Sequence, residues 1–416
     1  MLKGQREIPP ITPETTMRNA RRWLNIIRYG ESGTVIQPQD DCEYRTLEIV
    51  NNPKILKSVL GPYYKKYLLK YLPIDQKDLD KTIRDSLIEI CTERKIATEG
   101  VLSELKNEEI LNEIAKKGYD VGFFISHIKS LLTKNDIQPL IDLELLIRTS
   151  KNFSVVVFSE LDITHDKYNF LADKCSFFYD HIIKYPLYDA SDSKQFIAHY
   201  NHKWKFSLPE KIIQEIVDAC GGYLWLIHQA QRNLRDNPEM TVTEAFNHEL
   251  MQRKLDVIWN KFTKTEQNII RKTVLGNLNG KDFVTHEYQY LKSIQIIEED
   301  RNQIRLGIPL LSTVIEHENR LNNFKIRENN LFIGNIDITM KLSPKERAFM
   351  LLLLSFKKRV MSRDTVAKTI WGKDWEEKYS DWAIDRLAHR MRRKLKTLGI
   401  DEKLLKTVKK KGFIFG

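Results

Sequence analysis

Two rhythms of apolar residues run along this chain. Short, almost continuous runs, "SGTVIQP", "YDVGFFIS" and "NFSVVVFSELD", have the composition of strands buried on both faces. Between them lie longer segments with apolar residues at steps of three and four, the repeat of a helix with one buried side. Strand-like runs alternating with helices from residue 18 to about 240 give the pattern of an α/β domain.

From Phe324 onward the rhythm changes. "FKIRENNLFIGNIDI" alternates around the turn signal Glu328-Asn329-Asn330, and "LLKTVKKKGFIFG" reads as a hairpin turning at Lys411-Gly412. Between them, "KLSPKERAFMLLLLSF" opens with Ser343 as N-cap, Pro344 at the first helical position and Glu346 three residues past the cap, a capping box. A second helix starts at Ser362 in "MSRDTVAKTIWG" and stops near Gly372, and residues 373–379 read as a polar loop. Ser380 then caps a longer helix, "SDWAIDRLAHRMRRKLKTLG", ending at Gly399. On it Ile384, Leu387, Ala388, Met391, Leu395 and Leu398 make a core-facing stripe, while Arg386, His389, Arg390, Arg392, Arg393 and Lys396 fall largely on the other side.

Charge gives this segment its meaning. Residues 324–416 carry 23 Lys and Arg against 11 Asp and Glu, whereas the preceding 323 carry 44 against 45, so the net charge of +11 belongs to one module. A basic module on a balanced protein is the electrostatic footprint of a part that sits on a polyanion. Sheet, three helices and a hairpin outline a winged helix. The order and spacing of "LSPKERAFMLLLL", "VMSRDTVAKTIWG", "SDWAIDRLAHRMRRKL" and "KTVKKKGFIF" resemble an OmpR/PhoB-type winged-helix DNA-binding domain over all 93 residues.

That resemblance implies that the helix from about Asp381 enters the major groove of duplex DNA while the hairpin reaches a neighbouring backbone or minor groove. It implies DNA contacts at Arg390 and Arg392, with His389 at a third such position, and at Thr407 and Lys409 on the wing; Leu387 stands where a contacting His is common. By their chemistry Arg386 and Arg393 join the same basic side, and the run Lys409-Lys410-Lys411 suits backbone tracking. Domains of this type commonly follow a phospho-accepting receiver domain, of which the first 323 residues carry no sign.

The region from about 18 to 240, some 220 residues, resembles in the order of its elements an AAA+/STAND-type P-loop NTPase that has lost its phosphate chemistry. A P-loop carries G-x-x-x-x-G-K-[ST] at its first strand-helix junction, with backbone N–H groups wrapping phosphate, a Lys pairing with it and a hydroxyl on Mg²⁺. Here the register is "QPQDDCEY": Gln37 and Cys42 replace the glycines, Glu43 the Lys and Tyr44 the hydroxyl. At ~4 Å and an effective dielectric of ~20, that charge reversal turns roughly 4 kcal/mol of attraction into a similar repulsion. Ser126-His127 stand where Walker B places its acids, and Ser159 ends a strand resembling the one that carries sensor 1; in an alternative register this later strand is Walker B, with Glu160 as its surviving acid.

"HIIKYPLYDASDSKQFIAHY" and "LPEKIIQEIVDACGGYLWLIHQAQRNL" resemble a helical lid with its paired glycines, Gly221 and Gly222, but Tyr223 and Leu224 stand where a proline is usual. In the next stretch Thr263 and Glu266 form another capping box, and "YLKSIQIIEEDRNQIRL" reads as a helix and a hairpin. It is similar to the small winged helix that often follows the lid in STAND and origin-binding ATPases. Its candidate recognition segment, 287–293, is poor in Arg, which favours packing or protein contact.

The expected organisation is a degenerate AAA+/STAND-like α/β domain at 18–180, a helical lid at 181–250, a winged-helix-like domain at 251–320 and the OmpR/PhoB-type winged helix at 324–416. Four cysteines, Cys42, Cys91, Cys175 and Cys220, lie at least 45 residues apart and read as reduced thiols in a cytoplasmic protein. No apolar run approaches the ~18 residues of a membrane span. The close pair His199 and His202 has no cysteine beside it to complete a zinc site. The expected function is therefore a non-enzymatic regulator of transcription without cofactor or metal. It binds double-stranded DNA through its C-terminal domain and contacts a protein partner or itself through the NTPase-like part; the alternative is a nucleotide-dependent switch.

Overall fold

Parallel pairing dominates the first unit because its strands are apolar on both faces. The computed structural model describes residues 9–416 apart from 75–77, 134–136, 301–302, 323, 328–329, 334–335, 357–358, 379, 399, 401 and 410. The chain forms two compact units, Met1–Leu311 and Ser312–Gly416. The first unit opens with α1 (Pro13–Arg28), capped by Thr12, followed by β1 (Gly33–Ile36) and α2 (Cys42–Val50). Then come β2 (Tyr67–Pro73), α3 (Leu79–Glu93), α4 (Asn107–Lys116), β3 (Asp120–Ser126), α5 (Gln138–Thr149), β4 (Phe153–Ser159) and β5 (Ile182–Lys184).

The five strands make one sheet in the order β2-β3-β4-β1-β5, every neighbour parallel. β1 and β4 are buried at every position, as a central strand covered on both faces must be. Trp23, Leu24 and Ile27 of α1 cover one face against Val35, Phe124, Val156 and Phe158, and the Trp23 ring meets Phe158 edge-on at 4.9 Å. The order reverses at β1, whose neighbours β4 and β5 both follow it in sequence by more than a hundred residues.

Helices α6 (Ala190–Trp204), α7 (Glu210–Cys220), α8 (Leu224–Asp236), α9 (Glu249–Lys261) and α10 (Lys264–Val274) come next. α11 (His286–Ser293) and an antiparallel hairpin, β6 (Ile297–Asp300) with β7 (Gln303–Leu306), close the unit. The expected capping box stands at the start of α10: the Thr263 N–H donates to Glu266 at 2.6 Å and the Glu266 N–H to Thr263 Oγ1 at 3.2 Å. Expected boundaries at 18 and 251 fall inside α1 and α9.

The joint between α7 and α8 is where these parts meet. Gly221 and Gly222 have φ of +58° and +78°. A Cβ on Gly221 would stand 1.4 Å from the Gly307 carbonyl oxygen, just past β7, and one on Gly222 would stand 1.8 Å from that of Tyr188. Only glycine accepts both the left-handed backbone and the contact. The Leu310 N–H donates to the Ala219 carbonyl at 3.1 Å beside it.

In the second unit β8 (Phe324–Arg327), β9 (Asn330–Ile333) and β10 (Ile336–Asp337) form an antiparallel sheet in the order β10-β9-β8; Glu328 and Asn329 of the expected turn lie outside the described residues. α12 (Pro344–Ser355) and α13 (Arg363–Trp371) start at the expected caps Ser343 and Ser362, the first with its full capping box. The stretch 373–379, expected as a loop, contains a short helix, α14 (Trp375–Lys378). Its cause is apolar: Trp371 and Trp375 pack against the core, and Lys368 lies over the Trp375 ring at 4.9 Å. α15 (Asp381–Thr397) and the hairpin β11 (Leu405–Val408) with β12 (Gly412–Phe415) complete a winged helix; the expected stop at Gly399 lies outside the described residues.

The glycine joint is testable against a glycine of similar backbone in open space. Gly276 has φ of +66° and nothing within 4 Å of a Cβ, so Gly276→Ala is expected to cost only the left-handed backbone, about 1 kcal/mol. Gly222→Ala adds the displacement of Tyr188, about 1–3 kcal/mol more, read as the difference between the two variants in chemical denaturation.

Candidate functional site

α15 divides its side chains sharply. Ser380 accepts from the Ala383 N–H at 3.1 Å and starts the helix, and Ile384, Leu387, Ala388, Met391 and Leu395 are buried against Phe349, Met350, Val366 and Phe413. Leu398, the last of the expected stripe, is only partly buried. On the opposite side Arg386, His389, Arg390 and Arg393 are exposed, each three or four residues from another of the set, a continuous ridge of three arginines and a histidine. Trp382, at the head of the same ridge, is 68% exposed and carries the Arg386 guanidinium 5.0 Å from its ring centre.

Arg392 leaves that ridge. Its Nε donates to the Leu405 carbonyl at 2.8 Å and its Nη2 to Thr407 Oγ1 at 2.7 Å, so it ties α15 to the wing strand β11. Thr407 stays exposed and its own hydroxyl hydrogen remains to be donated. Lys409 and Lys411 are exposed on the tip of the hairpin, where the Lys411 N–H closes the turn on the Val408 carbonyl at 2.9 Å; Lys410 lies outside the described residues. Gly412, at φ +141°, lets the wing come down on residue 361: a Cβ there would stand 1.9 Å from the Met361 carbonyl oxygen. Paired hydrogen bonds of 2.7 and 2.9 Å between Met361 and Phe413 then fix it.

Two residues that the sequence reading passed over shape this surface. Arg363, on α13, donates to Asp381 at 3.1 Å and Asp385 at 2.7 Å, pairing with both acids in the first turns of α15. Its guanidinium also lies 5.2 Å from the centre of the Phe413 ring. Trp382 is the other, and its four-residue spacing to Arg386 was the one local signal available.

In the first unit the expected degenerate loop runs from the end of β1 to the start of α2. Gln37 is buried, and Gln39 crosses to the glycine joint, its Nε2 donating to the Gly222 carbonyl at 2.9 Å and its Oε1 accepting from the Leu224 N–H at 2.7 Å. That N–H is a donor a proline would lack. The Tyr223 hydroxyl donates to the Pro38 carbonyl at 3.1 Å, so the loop interior is occupied by its own protein partners. Cys42 is buried at the first position of α2, its thiol pushed far up by burial and then by Asp40. Glu43 and Tyr44 are half-buried beside it. The buried cation of α2 is Arg45, and its guanidinium is spent on Asp41, Glu48 and the Pro9 carbonyl.

A cleft of about 760 Å³ opens at the carboxyl ends of β1, β3 and β4, lined by Asp40, Ser126, His127, Ser159, Glu160 and Lys261 among others. Carboxyl ends at a reversal of strand order are where ligands of open α/β sheets sit. Burial, then Glu160, raise the Asp40 carboxyl above its usual range, and Lys261 forms an ion pair with Glu160. Ser126 shares a 2.5 Å hydrogen bond with the Tyr71 hydroxyl, and Ser159 Oγ donates to the Leu161 carbonyl at 2.8 Å and accepts its N–H at 3.0 Å. All four cysteines are free and buried. Among the described residues no group of three His, Cys, Asp or Glu could hold a metal ion, and no helix is long and apolar enough to cross a membrane.

Residues 337–415 match the family model described as transcriptional regulatory protein, C terminal, so the likeness read from the sequence is borne out over that segment. No curated protein matches the chain. Solved structures similar to it include a Walker-type ATPase of Pyrococcus abyssi, at 13% identity over 76% of this chain and 100% of that one, with a TM-score of 0.46. The ORC2 protein of Aeropyrum pernix is similar at 12% identity over 76% and 97%, TM-score 0.42, and domain III of the Thermotoga maritima replication initiation protein DnaA at 13% over 59% and 98%, TM-score 0.34.

Because Arg392 holds the wing by two charged hydrogen bonds, Arg392→Ala is expected to destabilise the wing by about 1–2 kcal/mol while α15 stays folded. Hydrogen exchange reads it: the amides of β11 and β12 lose protection, and those of α15 around Met391 keep it.

Proposed function

We propose that this chain is a DNA-binding regulator of transcription. Its C-terminal winged helix reads duplex DNA, with α15 in the major groove and the hairpin from Thr407 to Lys411 on the adjoining backbone. The observation that carries this reading is the exposed ridge of Arg386, His389, Arg390 and Arg393, opposite the buried stripe, in a segment that matches the C-terminal domain of transcriptional regulators. Arginines suit phosphate oxygens and the O6/N7 edge of guanine, and the wing's Thr407, Lys409 and Lys411 suit phosphates. Arg392 acts mainly by positioning the wing.

The first unit is, on this reading, a P-loop-NTPase-like domain without phosphate chemistry that serves contact or assembly. Gln39 bonded to the glycine joint and the carboxylates of Asp40, Asp41 and Glu43 around the first turn of α2 stand against a bound triphosphate. Helices α6 to α8 correspond to its lid. The segment from α9 to β7 corresponds to a second winged helix, whose helix α11 buries Tyr288, Tyr290 and Leu291 and carries no Arg, which fits protein contact.

Duplex binding over a salt series tests the first part. Arg390→Ala and Arg393→Ala are expected to weaken it; a phosphate contact lowers the log–log salt slope by about 0.9, and a guanine contact costs about 1–3 kcal/mol at one base pair. Unchanged affinity in both variants, with the fold intact, returns α15 to a solvated face. Equilibrium binding of labelled ATP with Mg²⁺ tests the second part. No saturable binding is expected, and tight binding abolished by Gln39→Ala or Asp40→Ala overturns it in favour of a nucleotide-dependent switch.

A further inference from the structure

An exposed tryptophan by itself needs no explanation. Trp382 has a place and company that ask for one. It lies in the first turn of α15, the end of a recognition helix that reaches base edges, and it is the only Trp, Tyr or Phe of that helix. It heads the same ridge as Arg386, His389, Arg390 and Arg393, and its ring is left 68% exposed while Ile384 and Leu387, two and five residues on, are sealed in the core. Its contact is the Arg386 guanidinium, 5.0 Å from the ring centre, a cation held over an aromatic face. The two acids that flank it in sequence, Asp381 and Asp385, would repel DNA; both are turned to Arg363.

An indole offers a flat apolar face and one N–H donor, with no acceptor. The edges of the major groove offer one apolar group, the C5-methyl of a pyrimidine, beside the acceptors that arginine reads on guanine. We propose that Trp382 is a specificity-determining residue that reads a pyrimidine C5-methyl group in the major groove, next to the base or phosphate held by the stacked Arg386. Sequence choice at that position comes from Trp382, and the ridge arginines supply affinity. This rests on the duplex binding proposed above and adds to it the nature of one recognised group.

The test uses the full chain and a duplex selected by it from a random library. Each thymine in that site is replaced in turn by uracil, which removes only the methyl group, and each cosubstituted control carries 5-methylcytosine for cytosine. Wild-type protein is expected to lose about fourfold in affinity at one thymine, the weight of one methyl group removed from water. Trp382→Ala is expected to bind more weakly and to be indifferent to uracil at that position, with its salt slope unchanged because no phosphate contact is lost. A response of wild type to 5-methylcytosine alone keeps the methyl reading and changes the base that carries it. If neither uracil for thymine nor 5-methylcytosine for cytosine matters to wild type, or if Trp382→Ala keeps the same sensitivity, the inference fails although duplex binding stands; absence of duplex binding in wild type removes the underlying reading instead.

Discussion

The architecture of the first unit is registered by one close approach of backbones, at Gly221 and Gly222. Helix α7 ends there in a left-handed turn, the segment after β7 lies against one glycine and Tyr188 against the other, and Gln39 from the loop after β1 bonds across the joint. Backbone atoms at such distances leave no room for a side chain, so the sheet's carboxyl edge, the helices after β5 and the β6-β7 hairpin share one fixed point. The same joint takes up the Gln39 amide, which bonds the Gly222 carbonyl and the Leu224 N–H.

In the second unit the organising constraint is amphipathicity. One helix, α15, has to bury Ile384, Leu387, Ala388, Met391 and Leu395 while holding four cationic or titratable side chains in solvent on its far side. The core fixes its rotation, and that rotation decides which arginines can meet a groove. Arg392 falls at the margin and is used for the wing, and Arg363 pairs with the two acids at the helix's leading end. The net positive charge is thus arranged by two arginines that are themselves not part of the exposed ridge.

Much of this was legible because its causes are local. Ser343, Ser362 and Ser380 are N-caps because a short hydroxyl accepts an N–H two or three residues ahead, and the buried stripe of α15 repeats at the helical period. The buried strands β1, β3 and β4 announced themselves as apolar runs. α14 was read as a loop because its polar sequence hides the contribution of Trp375, which becomes apolar anchorage only once the core exists.

What the sequence determined by itself is identity and periodicity: which residues occupy the loop at 37–44, where helices begin, which face of α15 is apolar and which module holds the charge. What only the tertiary structure decided is partnership. Gln39 meets Gly222 across 183 residues, Arg392 meets Thr407 across 15 and Arg363 meets Asp385 across 22. Hydrogen bonds and ion pairs act over a few ångströms between groups that the chain keeps far apart, so no local pattern encodes them. They are fixed only when burial of the apolar stripes has set every helix and strand in its place.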